Sequence, residues 1–290
     1  MQYEGNVYRP PSEARSLIIQ ITIGCSHNLC TFCNMYKDKQ FRLRPLETVF
    51  DDLQSCRHLY PQVDRIFLAD GDALIMPTKQ LIEILKKCRE LFPECHRIGI
   101  YATPKAIVRK TFEELKELQI QGLTIVYLGV ESGSDRVLLQ IKKGANQAQI
   151  VEAGQKIKAA DIKLSITLIS GLGGKALWQE HALANGQIID LLQPDYVGLL
   201  TLLLEFGTEL YDQHAQGEFV TMTPLEILSE TKLMLENINQ VKNCIFRSNH
   251  VSNYLALAGT LIQDKQRLIN SLEAVLQQPS LLPNKSYRQL

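Results

Sequence analysis

The chain is predicted to be an α/β protein built on a parallel sheet, with helices crossing over between strands. Three observations predict this. Apolar stretches of strand length alternate with stretches whose apolar residues recur at i, i+3 and i+4. The strand-like stretches are nearly continuous runs, the pattern of strands covered on both faces. Successive strands stand far enough apart to hold a helix and two loops, as a parallel crossover requires. A closed or partly closed barrel and an open doubly wound sheet both satisfy the pattern.

The elements follow in order. The stretch to about Ala14 reads as irregular, broken by Pro10 and Pro11. SLIIQITIG then forms the first strand and ends at Gly24. Further strands are expected at Arg65–Ala69, Arg97–Ala102, Leu123–Gly129, Leu164–Ser170 and Tyr196–Leu204. PLETVFDDLQSCRHLY, TKQLIEILKKCRELF, TFEELKEL, NQAQIVEAGQKIKAA and ALWQEHALANGQIIDLL are the helices between them. After about Gln216 the pattern changes. Two helices, near Pro224–Asn239 and Gln263–Gln277, flank CIFRSNHVSNYLALAGT, and Pro279–Leu290 reads as a loose tail. The expected organisation is a segment over 1–15, a barrel over 16–215, and a small, mostly helical extension over 216–290 that caps it.

Composition narrows the function classes. Among 290 residues, 31 Lys+Arg balance 31 Asp+Glu, which argues against attachment to nucleic acid by bulk charge but not against a local basic patch. Hydrophobic residues at 45% and charged residues at 21% exclude disorder as the main state. No apolar run reaches the roughly 18 residues of a membrane span. MQYEGNVYRPPSEAR lacks a basic-then-apolar export pattern, so a cytoplasmic location is expected.

The seven cysteines are an odd number in a chain without an export pattern, against a disulfide framework. Cys56 and Cys88 fall in helical stretches and read as small core side chains. Cys25, Cys30 and Cys33 cluster in GCSHNLCTFCNMY, directly after the first strand. Structural zinc commonly takes four ligands in two pairs, and no second C-x-x-C is present. Three thiolates without a fourth protein ligand suit a [4Fe–4S] cluster with one open iron. A zinc site, with His27 as fourth ligand, and unligated thiols are the alternatives.

In parallel α/β folds function gathers at the C-terminal ends of the strands. There the chain carries the three cysteines, Asp70-Gly71-Asp72, Glu131-Ser132, Gly171-Leu172-Gly173-Gly174, and Glu205 with a Gly207-Thr208 turn. Arg247, Asn249, His250 and Asn253 follow in the C-terminal part. Singly, each has a plainer reading: DGD as a turn or a magnesium site, Ser134 or Asp135 as a helix cap, GLGGKA as a strand–helix loop. GLGGKA also matches a dinucleotide fingerprint, weakly, because it follows the fifth strand rather than opening the chain.

Taken together, these motifs resemble the radical S-adenosylmethionine (radical SAM) superfamily from about Ser16 to Tyr211. That family's pattern is C-x3-C-x2-C with an aromatic residue before the last cysteine. Cys30-Thr31-Phe32-Cys33 fits its second half, and four residues rather than three separate Cys25 from Cys30. VYLGVESGSDRVLLQIKKGA and LLEFGTELY resemble the branch containing coproporphyrinogen oxidases and tRNA methylthiotransferases. The resemblance implies a partial (β/α)6 TIM-like barrel. It implies that Cys25, Cys30 and Cys33 hold a [4Fe–4S] cluster whose open iron binds S-adenosylmethionine. By the same resemblance Phe32 sets its backbone against the adenine. Asp70, Gly71 and Asp72 stand where the family's Gly-Gly-Glu receives the methionine amino group, with Asp72 in place of the glutamate. Glu131 and Ser132 match the ribose position, and Ile169 and Gly171 the adenine side.

The implied activity is reductive cleavage of S-adenosylmethionine to a 5′-deoxyadenosyl radical, which abstracts hydrogen from a small-molecule or nucleoside-type substrate. Arg247 is the candidate clamp for an anionic substrate group and His250 a proton donor. The basic run KDKQFRLR, from Lys37 to Arg44, reads either as an anion site or as a solvated loop. An external one-electron donor such as flavodoxin or ferredoxin is the implied partner, with no membrane. The alternatives are an RNA- or protein-modifying enzyme of the same superfamily, a non-catalytic iron–sulfur or zinc protein, and last a dinucleotide oxidoreductase built on GLGGKA.

Overall fold

The apolar and amphipathic stretches become strands and helices in the order the sequence sets. The structure, a computed structural model, describes residues 3–282. In chain order the elements are β1 (Leu17–Gln20), β2 (Thr22–Ile23), β3 (Arg42–Leu43), α1 (Leu46–Leu59), β4 (Arg65–Ala69), α2 (Thr78–Leu91), β5 (Arg97–Ala102), α3 (Pro104–Arg109), α4 (Phe112–Ile120), β6 (Leu123–Glu131), α5 (Asp135–Gln140), α6 (Gln147–Ala159), β7 (Lys163–Ser170), α7 (Gly174–Leu192), β8 (Tyr196–Thr201), α8 (Glu209–Ala215), α9 (Pro224–Glu236), β9 (Ile245–Ser248), β10 (Leu257–Thr260) and α10 (Lys265–Gln277). They fall into two compact units whose chain segments alternate. Among the described residues no helix is long and apolar enough to cross a membrane.

The first unit holds the chain up to Asn28, Cys33–Leu128 and Glu152–Leu164. Its strands run β1-β4-β5-β6, all parallel, in registers such as Ile19↔Leu68, Ile66↔Ile98 and Ile100↔Val126. These side chains are buried, and each stabilises the fold by about 1.5–3 kcal/mol. Helices α1 and α2 pack together and bury Val49, Leu53 and Cys56 on one and Leu81, Ile84, Leu85 and Cys88 on the other. Cys56 and Cys88 are thus core side chains, as their helical positions imply. Helix α4 starts on a reciprocal Thr111–Glu114 capping box. The N-terminal segment is more ordered than its prolines suggest. Pro11–Glu13 makes a 3-10 turn that buries Glu13 against Arg97 at 2.8 Å, and the hydroxyls of Tyr127 and Ser16 donate to the same carboxylate.

The second unit holds Leu29–Phe32, Gly129–Val151 and the chain from Ser165 onward. Strand β8 lies parallel to β7 and β9 parallel to β8, while β10 returns antiparallel to β9. The C-terminal extension therefore contributes a hairpin to the sheet besides α9 and α10. The expectation of a mostly helical extension missed it because the strands are short. Only the alternation of buried Phe246 and Ser248 with exposed Arg247 marks one as half-covered. Strand β8 stops at Thr201, not Leu204, where Ser252 Oγ accepts the Thr201 N–H at 3.1 Å. The expected tail begins with a 3-10 turn at Pro279–Leu281, and its remainder from 283 lies outside the described residues.

Candidate functional site

In the first unit, the base of the cysteine loop is a two-residue ladder. Strands β2 and β3 pair antiparallel, Thr22↔Leu43 and Ile23↔Arg42, so residues 24–41 are held as a closed loop beyond β1. Gly24 turns into it with φ +75°, and Asn28 Nδ2 donates to Tyr36 O at 2.7 Å across it. Cys25 and Cys33 are half-buried in this unit. The basic run has internal partners. Lys37 Nζ donates to Asn28 O at 2.8 Å, Arg42 pairs with Glu4, and Arg44 pairs with Asp52 at 2.7 Å in the interior. Lys39 Nζ, with its side chain 5% exposed, reaches Asp70 Oδ2 at 3.0 Å.

The Asp70-Gly71-Asp72 turn follows β4 directly. Asp70 is fully buried, and its Oδ2 accepts from Gln20 Nε2 at 2.9 Å, Gly24 N at 3.0 Å and Lys39. Its Oδ1 is buried without a hydrogen-bond partner. At Gly71 a Cβ would stand 2.5 Å from Tyr36 Cε2 and 3.1 Å from Cys25 Cβ, so only glycine lets the turn and the cysteine loop approach this closely. Asp72 is also fully buried and already engaged. Thr103 N donates to Oδ1 at 2.9 Å, Thr103 Oγ1 to Oδ2 at 3.1 Å, and the Ser26 hydroxyl to Oδ2. Asp72 thereby ties the cysteine loop to Thr103, the N-cap of α3. Tyr36 is buried, and its hydroxyl likewise has no partner.

In the second unit, Cys30 and half-buried Phe32 lie in a short stretch fixed by its backbone. Thr31 N donates to Ile141 O at 3.0 Å, and Leu210 N donates to Thr31 O at 2.9 Å. Strand β6 ends at Glu131, which takes φ +67°, outside the range most side chains prefer. Its carboxylate pairs with Lys143 at 3.0 Å, both side chains about one-tenth exposed. Ser132 is turned inward. Its hydroxyl donates to His181 Nδ1 at 2.8 Å and accepts from Ser134 N at 3.0 Å. His181 Nε2 donates to Ile169 O at 3.0 Å, and burial holds this imidazole neutral, its pKa pushed down to about 4. Gly133 rests directly on α7: a Cβ there would lie 2.1 Å from Ala184 O. Gly171 N, just past β7, donates to Glu230 Oε1 at 2.8 Å. Glu230, on α9, is buried, its Oε2 has no partner, and burial pushes its carboxyl up to about 8. His181 Nε2 stands 4.0 Å from Glu230 Oε1.

His181 and Glu230 join the ends of β6 and β7, and sequence reasoning missed both. Polar residues on otherwise apolar helical faces were the available signal: His181 with Asn185 one turn on, and Glu230 between Ile227 and Met234. The first amides of α7 are not left open for a phosphate. Lys175 N donates to Val220 O at 2.9 Å, and Lys175 Nζ pairs with Glu226 at 3.0 Å. That removes the physical basis of a dinucleotide site at GLGGKA.

Arg247 is exposed on β9 in register with Gly198 and Ala258, on the sheet face opposite buried Phe246 and Ser248. The same face carries Thr167 and Ile169 of β7 through Thr167↔Gly198 and Ile169↔Leu200. His250 is half-buried. Its Nδ1 receives Ser252 N at 3.2 Å and lies 2.9 Å from Ser252 Oγ, and burial lowers its pKa. Asn253 fastens this loop to β8, accepting from Thr201 Oγ1 at 2.9 Å and donating to Leu199 O at 2.8 Å. Among the described residues no hydrogen bond joins Arg247 to His250, and no three His, Cys, Asp or Glu side chains are already drawn together around a metal ion.

Known proteins resemble the chain. A tRNA uridine(34) acetyltransferase of Methanocaldococcus infernus is 29% identical over 108 residues, 37% of this chain and 20% of that protein. The chain spans less than half the length of the curated relatives it matches. Among solved structures, methylornithine synthase superposes with a TM-score of 0.57 at 15% identity, over 93% of this chain and 74% of that one. Coproporphyrinogen III oxidase of Escherichia coli gives 0.56 at 20% identity, over 78% and 54%. At these identities the likeness establishes the fold, a mainly parallel partial TIM barrel. The Radical SAM superfamily profile matches residues 19–183, more than half of the chain, so the chain belongs to the radical SAM superfamily, whose enzymes bind a [4Fe–4S] cluster and S-adenosylmethionine.

Proposed function

We propose that the protein is a radical SAM enzyme acting on a small-molecule or nucleoside-type substrate, with Cys25, Cys30 and Cys33 as the ligands of its cluster. Bound together, the cluster and S-adenosylmethionine supply one-electron chemistry at an unactivated C–H bond. The observation that carries the reading is a pair of unpartnered buried groups where the DGD turn packs on the cysteine loop. A fully buried carboxylate oxygen, Asp70 Oδ1, and a buried phenol, Tyr36 Oη, both lack partners there, beside Cys25. Buried polar groups are seldom left unpaired in folded proteins, so these two atoms suit a polar ligand.

The residues divide the work. Asp70 Oδ1 accepts from the cofactor's ammonium group, and Gly71 lets the turn pack against Tyr36 and Cys25. Asp72 holds Ser26 and Thr103 and so positions the loop. Phe32 offers its backbone to the adenine, Glu131 its carboxylate to ribose hydroxyls, and Ile169 and Gly171 an apolar edge. Ser132 acts through His181, fixing the turn that carries Glu131. Arg247 binds an anionic group of the substrate on the face it shares with Thr167, and His250 offers a proton from Nε2. A reductant of the flavodoxin or ferredoxin type delivers the electron.

One finding favours a second reading, modification of RNA: the matched relative named above acts on tRNA by its name. The buried pairing of Lys39 and Arg44 weighs against it, because these two cations are unavailable to a phosphate backbone. Electron paramagnetic resonance on anaerobically reconstituted, reduced protein tests the core of the proposal. A cluster signal that changes on adding S-adenosylmethionine is expected. A signal that ignores it leaves an iron–sulfur carrier, and bound zinc in place of a cluster refutes the proposal outright.

A further inference from the structure

Among the described residues nothing pairs with the Tyr36 hydroxyl. Three neighbours hold the ring: Tyr8 edge-on at 5.5 Å, Lys39 Nζ at 5.4 Å from its centroid, and the bare Cα of Gly71. The residue is 4% exposed, and its Oη has no hydrogen-bond partner. A buried hydroxyl left in this way destabilises a fold unless some state of the protein supplies its partner. Burial, and then the neighbouring Tyr101, Asp70, Cys25 and Cys33, push the phenol's pKa upward, so it keeps its proton and is a donor. Two kinds of acceptor lie near it. Asp70 Oδ1 is not within hydrogen-bond reach, since it too is unpartnered. The thiols of Cys25 and Cys33 accept weakly while protonated, whereas a thiolate or sulfide bound to iron carries negative charge and accepts well.

We infer that the Tyr36 hydroxyl is a hydrogen-bond donor held for a sulfur of the iron–sulfur centre beside Cys25 and Cys33. The inference rests on the cluster ligation proposed above. Tyr36 is then a positioning and tuning residue. A donor to sulfur favours the reduced, more negative centre and so raises its potential.

Tyr36→Phe removes the oxygen and keeps the ring contacts. Wild type and variant are reconstituted anaerobically and matched for iron and sulfide, and their midpoint potentials are read by redox titration with paramagnetic resonance. Thermal unfolding is measured with and without the cluster. The variant's potential is expected to lie below that of wild type. Metal-free, the variant is expected to be at least as stable as wild type, while loading stabilises wild type more. Equal potentials with full loading overturn this inference and leave the cluster reading intact. An equal loss of stability in both states also overturns it, because the hydroxyl is then merely structural. A wild type that takes up no cluster overturns both.

Discussion

Glu230→Gln separates a titrating buried acid from an ordinary structural contact. Glu230 holds the end of β7 through Gly171 N and is buried, which raises its carboxyl from 4.5 to about 8. A folded-state pKa above the unfolded value stabilises the protonated fold. That contribution is complete below pH 4.5 and is lost as pH rises through 8. At 1.36 kcal/mol per tenfold change in proton affinity, the full loss is about 5 kcal/mol. Relative to a non-titrating side chain, wild type loses roughly 3 kcal/mol of this between pH 5.5 and 8.5. Glutamine retains an acceptor for Gly171 N but buries an amide where Oε2 lacked a partner, a pH-independent cost of about 1–3 kcal/mol. The assay is therefore the pH dependence of the stability difference, from denaturant unfolding of both proteins between pH 5.5 and 8.5. The variant is expected to gain about 3 kcal/mol on wild type across that window. His181, the ionisable group facing Glu230 at 4.0 Å, titrates near 4 and stays neutral throughout. A difference that is constant with pH would falsify the account, since Glu230 would then ionise as an exposed carboxylate does.

The remaining expectations concern the cofactor and substrate. Cys30→Ala is expected to abolish cluster loading while the far-ultraviolet circular dichroism of the fold persists; retained loading would remove Cys30 from the ligand set. Asp70→Asn is expected to weaken S-adenosylmethionine binding tenfold or more, by roughly 1.5–3 kcal/mol for a lost charged hydrogen bond. Asp72→Asn should change that affinity much less, since Thr103 and Ser26 already occupy its oxygens; calorimetric titrations giving the reverse order would restore Asp72 as the acceptor. Arg247→Ala should leave uncoupled cofactor cleavage unchanged and lower substrate turnover about 10- to 100-fold. Equal losses in both assays would move Arg247 into the cofactor site or the fold.

Much of this was legible in the sequence because the signals are local. Continuous apolar runs such as RIFLA and SITLIS need no partner to be read as buried strands, and their C-terminal ends follow at once. The cysteine spacing and the DGD turn are local in the same sense. What escaped depends on packing. Asp70 and Asp72 are equivalent in sequence, and only the structure distinguishes them, one with its carboxylate engaged on both oxygens and the other on one. Ser132 looked available for ribose until His181, 49 residues later, was found to hold its hydroxyl. The β9–β10 hairpin escaped because four-residue strands carry too little periodicity to be told from a loop.

The fate of the basic run bears most directly on the substrate. Lys37, Lys39, Arg42 and Arg44 form the densest positive stretch beside the cysteines, the place where an RNA substrate would need a backbone anchor. Lys39 cannot be lent to a phosphate without leaving the fully buried Asp70 carboxylate uncompensated, and breaking a buried pair by removing one partner costs about 3–5 kcal/mol. Arg44 is tied in the same way to Asp52 and to the Gln20 carbonyl. A phosphate contact at the surface returns less than that loss, so Lys39 and Arg44 serve the loop's architecture, while Lys37 and Arg42 remain exposed. Arg247 is the opposite case: it is exposed on a strand, flanked in register by glycine and alanine. One guanidinium on an open face suits a single anionic group better than a polyanion, which is the physical basis of the small-substrate proposal.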